Sequence, residues 1–261
     1  MSNRRRASAP RVQRALLHLA RLAVAVLAVL PAAACRDLVA RKYEYEEDVY
    51  LRLDGSATVY VNAAVPALVA LRGAPLPIDP AARLDRNDVR AFYAGPGVTV
   101  GSVSLSRREG RRYVHLRLEV DDIRRLSDLA PFAWSRYQFV DRGGLWVFTQ
   151  EVTAAAGQPV GDVGWQGDEL AAVRLHLPSR VPFHNAPSRT VERGNIISWE
   201  QPLAARAKGE PLAIEVHMEQ ESILFQTLAL FAGMAVLALA ALAMFVWWVR
   251  RMGAPHAPVQ P

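Results

Sequence analysis

The sequence predicts an α+β domain, a mainly antiparallel sheet with helices on one face, followed by one C-terminal transmembrane helix. Three observations carry that expectation. Apolar and polar residues alternate with a period of two along several runs, and these runs come in pairs joined by turn residues, as in hairpins. Short stretches with helical spacing stand between the pairs. Residues 222–249 carry no charge at all, a length that suits a bilayer better than a core helix.

The first hairpin is written in "KYEYEEDVYLRLDGSATVYVNAAV". Tyr43, Tyr45, Glu47, Val49 and Leu51 alternate with Glu44, Glu46, Asp48, Tyr50 and Arg52, a period-2 strand. Asp54-Gly55-Ser56 supplies the turn, because glycine accepts positive φ without steric cost. Ala57–Asn62 returns as the second strand. The acids Glu44–Asp48 read as a solvated strand face, since cation ligands have to converge and these lie along an extended chain. "AAVPALVALRG" reads as a short helix closing at Gly73. Pro75, Pro77 and Pro80 make a rigid connection to a second helix in "DRNDVRAFYAGPG", stopped by Gly95-Pro96-Gly97. Strands follow at 98–106 and 112–120 across "REGR", and the acids of "DDIRRLSDL" cap a helical turn. "WSRYQFV" and "LWVFTQEV" pair across "DRGG". A Gly-rich stretch at 154–169 precedes the last strands at 171–177, 189–199 and 211–219.

Charge is distributed by position. Residues 1–34 hold six arginines and no acid, and residues 222–261 hold Arg250 and Arg251 and no acid. Removing those eight from the chain's 31 Lys and Arg leaves 23 against 25 Asp and Glu. The domain between the ends therefore has no basic excess to face nucleic acid, and no such partner is expected. One cysteine, Cys35, excludes an internal disulfide, Cys-based zinc sites and a CxxC redox pair.

Both ends address a membrane. Arginines, a wholly apolar Leu22–Leu30 and the small residues Ala32-Ala33-Ala34 form the n-, h- and cleavage regions of a signal peptide spanning 1–34. The alanines satisfy the A-x-A rule of ordinary cleavage. Placed before Cys35, they also resemble a bacterial lipobox, with Ala32 where leucine is favoured. Cys35 is thus a lipidation candidate or simply the new N-terminus. The segment 222–249 would be about 42 Å long as a helix, beyond the roughly 30 Å of hydrocarbon. Trp247-Trp248 and Arg250-Arg251 close it as an aromatic belt and a positive cytoplasmic flank. The expected organisation is signal peptide 1–34, tether 35–42, extracytoplasmic domain 43–220, transmembrane helix 222–249 and cytoplasmic tail 250–261, in a bacterial inner membrane.

No HExxH, GxSxG or GxxxxGK[ST] pattern occurs, so no catalytic, metal or cofactor residues are assigned and no enzyme is expected. His115, His176 and His217 fall on the polar register of their strands and are expected to face solvent. The alternate serines of "GSVSLS" suit a strand face.

The stretch "HNAPSRTVERGNIISWEQPL" at 184–203, the hairpin "YLRLDGSATVYV" and the two membrane-directed ends resemble the LppM-like family of bacterial envelope lipoproteins. That resemblance implies a lipobox cysteine, an extracytoplasmic α+β domain tethered to the inner membrane, and association with lipid or glycolipid. It supplies no catalytic residue. His184, Asn185, Gly194, Asn195 and Trp199 read as turn and core positions. The leading functional expectation is a membrane-anchored binding module for a lipid or another envelope component. A structural or assembly partner of another membrane protein, and an enzyme with a dispersed site, remain the alternatives.

Overall fold

The computed structural model describes residues 42–108, 110–153 and 157–252. The signal peptide, the tether up to residue 41 with Cys35, and the tail beyond 252 lie outside the described residues.

The architecture is α+β with mostly antiparallel pairing, and the strands divide between two sheets. The first sheet has six strands in the order β3 (Val98–Arg108), β4 (Arg111–Val120), β2 (Ala57–Ala64), β1 (Lys42–Leu51), β7 (Glu169–His176) and β9 (Ile196–Pro202). The second has four, in the order β5 (Ser135–Arg142), β6 (Leu145–Val152), β10 (Leu212–Glu219) and β8 (Phe183–His184). One continuous core draws on both, with Val49, Val59 and Val61 from the first and Phe148, Val216 and Met218 from the second.

The first hairpin forms as its alternation requires. Leu51 pairs with Ala57, Gly55 takes φ 85°, and the Ser56 N–H donates to Asp54 Oδ1 at 2.9 Å. Tyr45, Glu47, Val49 and Leu51 all point inward, so the period-2 reading assigned the faces correctly. The reading of Glu44–Asp48 as a solvated face is corrected: Glu44 and Glu47 are buried. The strand expected at 189–199 begins only at Ile196, because Arg189, Gly194 and Asn195 take positive φ and break the extended chain before it.

Helix α1 (Val65–Arg72) follows β2 without a loop, and all eight of its residues are buried. Pro66 sits in its first turn, where a missing N–H costs nothing. Gly73 closes it in the left-handed region, with the Ala74 N–H reaching back to Leu68 O at 3.3 Å. Helix α2 (Arg86–Tyr93) is capped by Asp85, whose carboxylate accepts from Asn87 N at 2.8 Å. Asp122 similarly caps the 3-10 turn Ile123–Asp128. A short α3 (Leu203–Ala207), not expected from the sequence, follows β9 and packs on β7 and α1.

Helix α4 (Ile223–Met252) has 30 residues, a mean hydropathy of 2.5 over its most apolar window and no buried residue. It is long and apolar enough to cross a membrane. Its start is fixed to the domain. The Ile223 N–H donates to Pro178 O at 3.1 Å, the Glu219 N–H to Arg180 O at 2.9 Å, and Ser222 Oγ accepts from Leu224 N at 3.2 Å. Only three residues separate β10 from α4, and two of those bonds brace the junction.

Candidate functional site

The β3–β4 hairpin delivers two consecutive arginines at the start of β4, and neighbouring strand residues leave on opposite sides. Each therefore reaches a different loop. Arg112 donates to Pro77 O, and to Ala82 O at 2.7 Å, fastening the proline-rich connection between α1 and α2. Arg111 donates to Gly164 O at 2.6 Å, pairs with Glu44, and lies 3.8 Å from Glu169 Oε1. It fastens the glycine-rich connection between β6 and β7.

That second loop is held at three further points. A Cβ at Gly157 would lie 1.6 Å from Ala70 O, so only glycine can pass this close to the end of α1. The Gln158 N–H donates to Val69 O at 3.2 Å. Glu169 accepts from Gln166 N and Gly167 N, both at 2.8 Å. Burial is the largest single influence and works against its charged form, but backbone N–H bonds, those of Gln166 and Gly167 foremost, together hold the carboxyl below the usual range.

Between the two fastened loops, with the start of α1 in its wall, opens a cleft of about 380 Å³. Val65, Pro66, Ile78, Pro80, Val160 and Val163 make its lining chiefly apolar, with Asp79, Asp162 and the two arginines as the charged groups. Concave, mostly apolar, several hundred Å³ and built from loops on a rigid frame describes a small-molecule site.

A second polar assembly lies between the sheets. Glu47 of β1 and Arg72 of α1 are 0% and 3% exposed and meet at 2.9 Å. Tyr45 donates to Glu47 at 2.9 Å and accepts from Arg72 Nε at 3.0 Å, while Gln150 of β6 reaches toward Glu47 at 3.4 Å. The guanidinium carbon of Arg72 sits 3.6 Å from the centre of the Trp134 ring. Burial alone lowers the Arg72 pKa, but Tyr45 and Glu47 outweigh it and keep the guanidinium charged. Burial raises the Tyr45 and Tyr137 hydroxyls well above 10, so both remain donors at every physiological pH. This assembly joins β1, α1 and β6, and through them the two sheets.

The four described histidines are half-buried, His115 and His176 on the first sheet and His184 and His217 on the second, each with a neighbour. His176 stacks on Tyr50 with ring centres 3.8 Å apart, and His217 contacts Glu215 at 2.8 Å. Ser106, His115 and Asn62, from β3, β4 and β2, form a row: Ser106 Oγ is 2.7 Å from His115 Nε2, and His115 Nδ1 is 3.0 Å from Asn62 Oδ1. On an exposed face this row laces three strands together. His184 and Asn185 occupy a strand end and turn. Asn195 at φ 56° and Gly194 at φ 91° form the expected turn, and Trp199 is a core side chain whose indole donates to Asn185 Oδ1 at 3.0 Å. Among the described residues no three His, Cys, Asp or Glu side chains are placed to hold a metal ion. The lipidation candidate Cys35 lies outside the described residues.

The sequence reading did not find Arg111, Arg112 or the Arg72–Glu47 pair. Two signals were available for the pair: Glu47 stands on the apolar register of its strand, and Arg72 ends an otherwise apolar helix. Arg111 and Arg112 leave no comparable mark, because arginines beside a hairpin turn are ordinary.

No protein-family model matches the chain. No curated protein sequence matches it either. Among solved structures, the chain is similar to the folded domain of LppM from Mycobacterium tuberculosis, determined by NMR. That similarity has 12% identity and a TM-score of 0.39, over 69% of this chain and 92% of that one. At this level it says nothing of a ligand or partner for this chain.

Proposed function

We propose that this chain is a non-enzymatic binding module, anchored in a bacterial inner membrane by α4 with residues 43–220 on the extracytoplasmic side. Its ligand is an apolar envelope component, a lipid or glycolipid, taken in the cleft between the proline-rich and glycine-rich loops. The cleft carries the reading: it is chiefly apolar, of ligand size, and its two walls are each fixed by an arginine of one hairpin. The braced junction supports it, because a domain three residues from a membrane helix stays within reach of the bilayer surface. The orientation rests on Arg250-Arg251 after the helix and on the arginines of residues 4–14 before the first apolar run.

The test is native mass spectrometry of the full chain extracted with its surrounding lipids. Wild type should retain a lipid beyond the loosely held annular pool. Val160→Trp, which fills the cleft from a partly exposed loop position, should lower that retention by roughly tenfold, equivalent to about 1.4 kcal/mol. Equal retention in both would remove the cleft from the account. No retained lipid in either would leave the assembly-partner reading in the lead.

A further inference from the structure

Strand β3 forms one edge of the six-stranded sheet. An edge strand turns a row of main-chain N–H and C=O groups away from its one neighbour, where another chain can pair with them. Helix α2 flanks the first part of this edge: the turn after it bridges Gly95 to Val98, and Arg90 Nη1 donates to Val100 O at 2.7 Å. Beyond Val100 the main chain is bare. Among the described residues, no main-chain group of residues 101–108 bonds to anything but β4. Ser102, Ser104, Ser106, Arg107 and Arg108 are exposed.

A groove lies beside this bare stretch. Two adjoining hollows of about 390 Å³ each open between β3 and the segment that leads into α2, and both have Arg83, Leu84 and Leu105 in their walls. Leu84 and Leu105 are half-buried and supply an apolar strip. Arg86 joins them in one hollow, Arg107 and Arg112 in the other. Arg90, bonded at Val100, and Arg108, next along β3, bring the arginines of this edge to six. Among the described residues none of the six is ion-paired with a carboxylate. Two of the neighbouring acids are already engaged, Asp79 by Ala81 N at 2.9 Å and Asp85 by Asn87 N at 2.8 Å. Residues 79–90 and 105–112 hold seven arginines against four acids, Asp79, Asp85, Asp88 and Glu109, whereas the chain between its two ends holds 23 basic residues against 25 acidic. Positive charge is therefore gathered here from a domain that has no excess of it.

We propose that the β3 edge docks an acidic segment of a partner protein, bound in extended form as a strand added to the sheet. The main chain of that segment pairs with residues 101–108, its carboxylates meet the arginines, and an apolar side chain covers Leu84 and Leu105. Lipid headgroups offer no main chain to pair with an edge. A second copy of this chain sets one cluster of arginines beside another, which like-charge repulsion opposes. The proposal does not rest on the lipid reading of the loop cleft.

The test uses the full chain in phosphatidylcholine nanodiscs and a fluorescent peptide, Glu-Val-Glu-Val-Glu-Val-Glu, followed by anisotropy. Wild type should bind it saturably, and added salt should weaken the binding. The same peptide N-methylated at alternate residues keeps its charge but loses main-chain donors, and it should bind roughly tenfold more weakly. Arg83→Glu with Arg86→Glu reverses two exposed charges of the groove and should also weaken binding by roughly tenfold, with the domain melt unchanged. Arg136→Glu with Arg142→Glu makes an equal change of charge on the second sheet and should bind as wild type does. The proposal is overturned if wild type ignores the peptide, if the N-methylated peptide binds equally well, or if the two double variants behave alike. With the peptide ignored, capture of the nanodiscs by phosphatidylglycerol vesicles would give the surface to a bilayer, and paired chains would give it to a second copy.

Discussion

Helices α1 and α4 are both apolar on every side, yet all eight residues of α1 are buried and none of the 30 in α4 is. A helix without a polar face needs an apolar surround all round. Helix α1, about 12 Å long, finds it between the sheets and under the glycine-rich loop. Helix α4, about 45 Å long, finds none within the domain, and a bilayer is the solvent that fits its length and surface. Their charged ends differ in the same sense. Arg72 ends α1 inside the protein and is met by Glu47, whereas Arg250 and Arg251 end a helix with no acidic residue and suit a headgroup layer. Uniform apolarity sets the demand, and length decides whether protein or lipid meets it.

The largest effect should come from breaking the buried pair. Glu47→Leu strands the Arg72 charge and should cost about 3–5 kcal/mol in a denaturant melt of the full chain in detergent. Glu47→Leu with Arg72→Met should recover most of that loss. Next comes a matched truncation. Leu68→Ala in α1 should destabilise the domain by about 2–5 kcal/mol, while Leu237→Ala in α4 should leave its melt within about 0.5 kcal/mol. Equal losses would mean that α4 packs on protein, and the contrast between the helices would fail. Leu237→Arg sharpens it from the other side. It should oppose insertion by about 2.5–3.5 kcal/mol and release chain into an alkaline carbonate wash, with the domain melt unchanged.

A smaller effect follows from Glu169. Its folded pKa is depressed, so the stabilisation it gives the glycine-rich loop is complete above the unfolded value of about 4.3 and is lost as pH falls through the folded value. Amide exchange at Gln166 and Gly167, corrected for its intrinsic pH dependence, should therefore speed up on acidification below about pH 4, while exchange in α1 holds. Unchanged protection at low pH would show that Arg111 and Gly157 hold the loop without the carboxylate. The least effect belongs to Glu119→Gln at the partly exposed Arg52–Glu119 pair, which should move the melt by less than about 0.5 kcal/mol.

Much of the fold was legible because it is local. The alternation in β1 and β2, the capping aspartate at 122, and glycine after Arg72 each act over a few residues. Division into two sheets is not local. Strands β6 and β10 pair across sixty residues, and nothing in either run names its partner. The burial of Glu44 escaped for the same reason, since Arg111 and Trp165, which cover it, are 67 and 121 residues away. The cleft left no mark in the sequence, because its walls are loops whose course is set by Arg111 and Arg112 rather than by any periodicity.

The central claim, a folded domain held outside the membrane by α4, is tested most directly by topology reporters fused after Pro261. A fluorescent reporter that matures only in the cytoplasm should be bright there, and alkaline phosphatase, active only outside, should be silent at the same position. Phosphatase activity with a dark fluorescent fusion would place residues 43–220 in the cytoplasm and contradict the account.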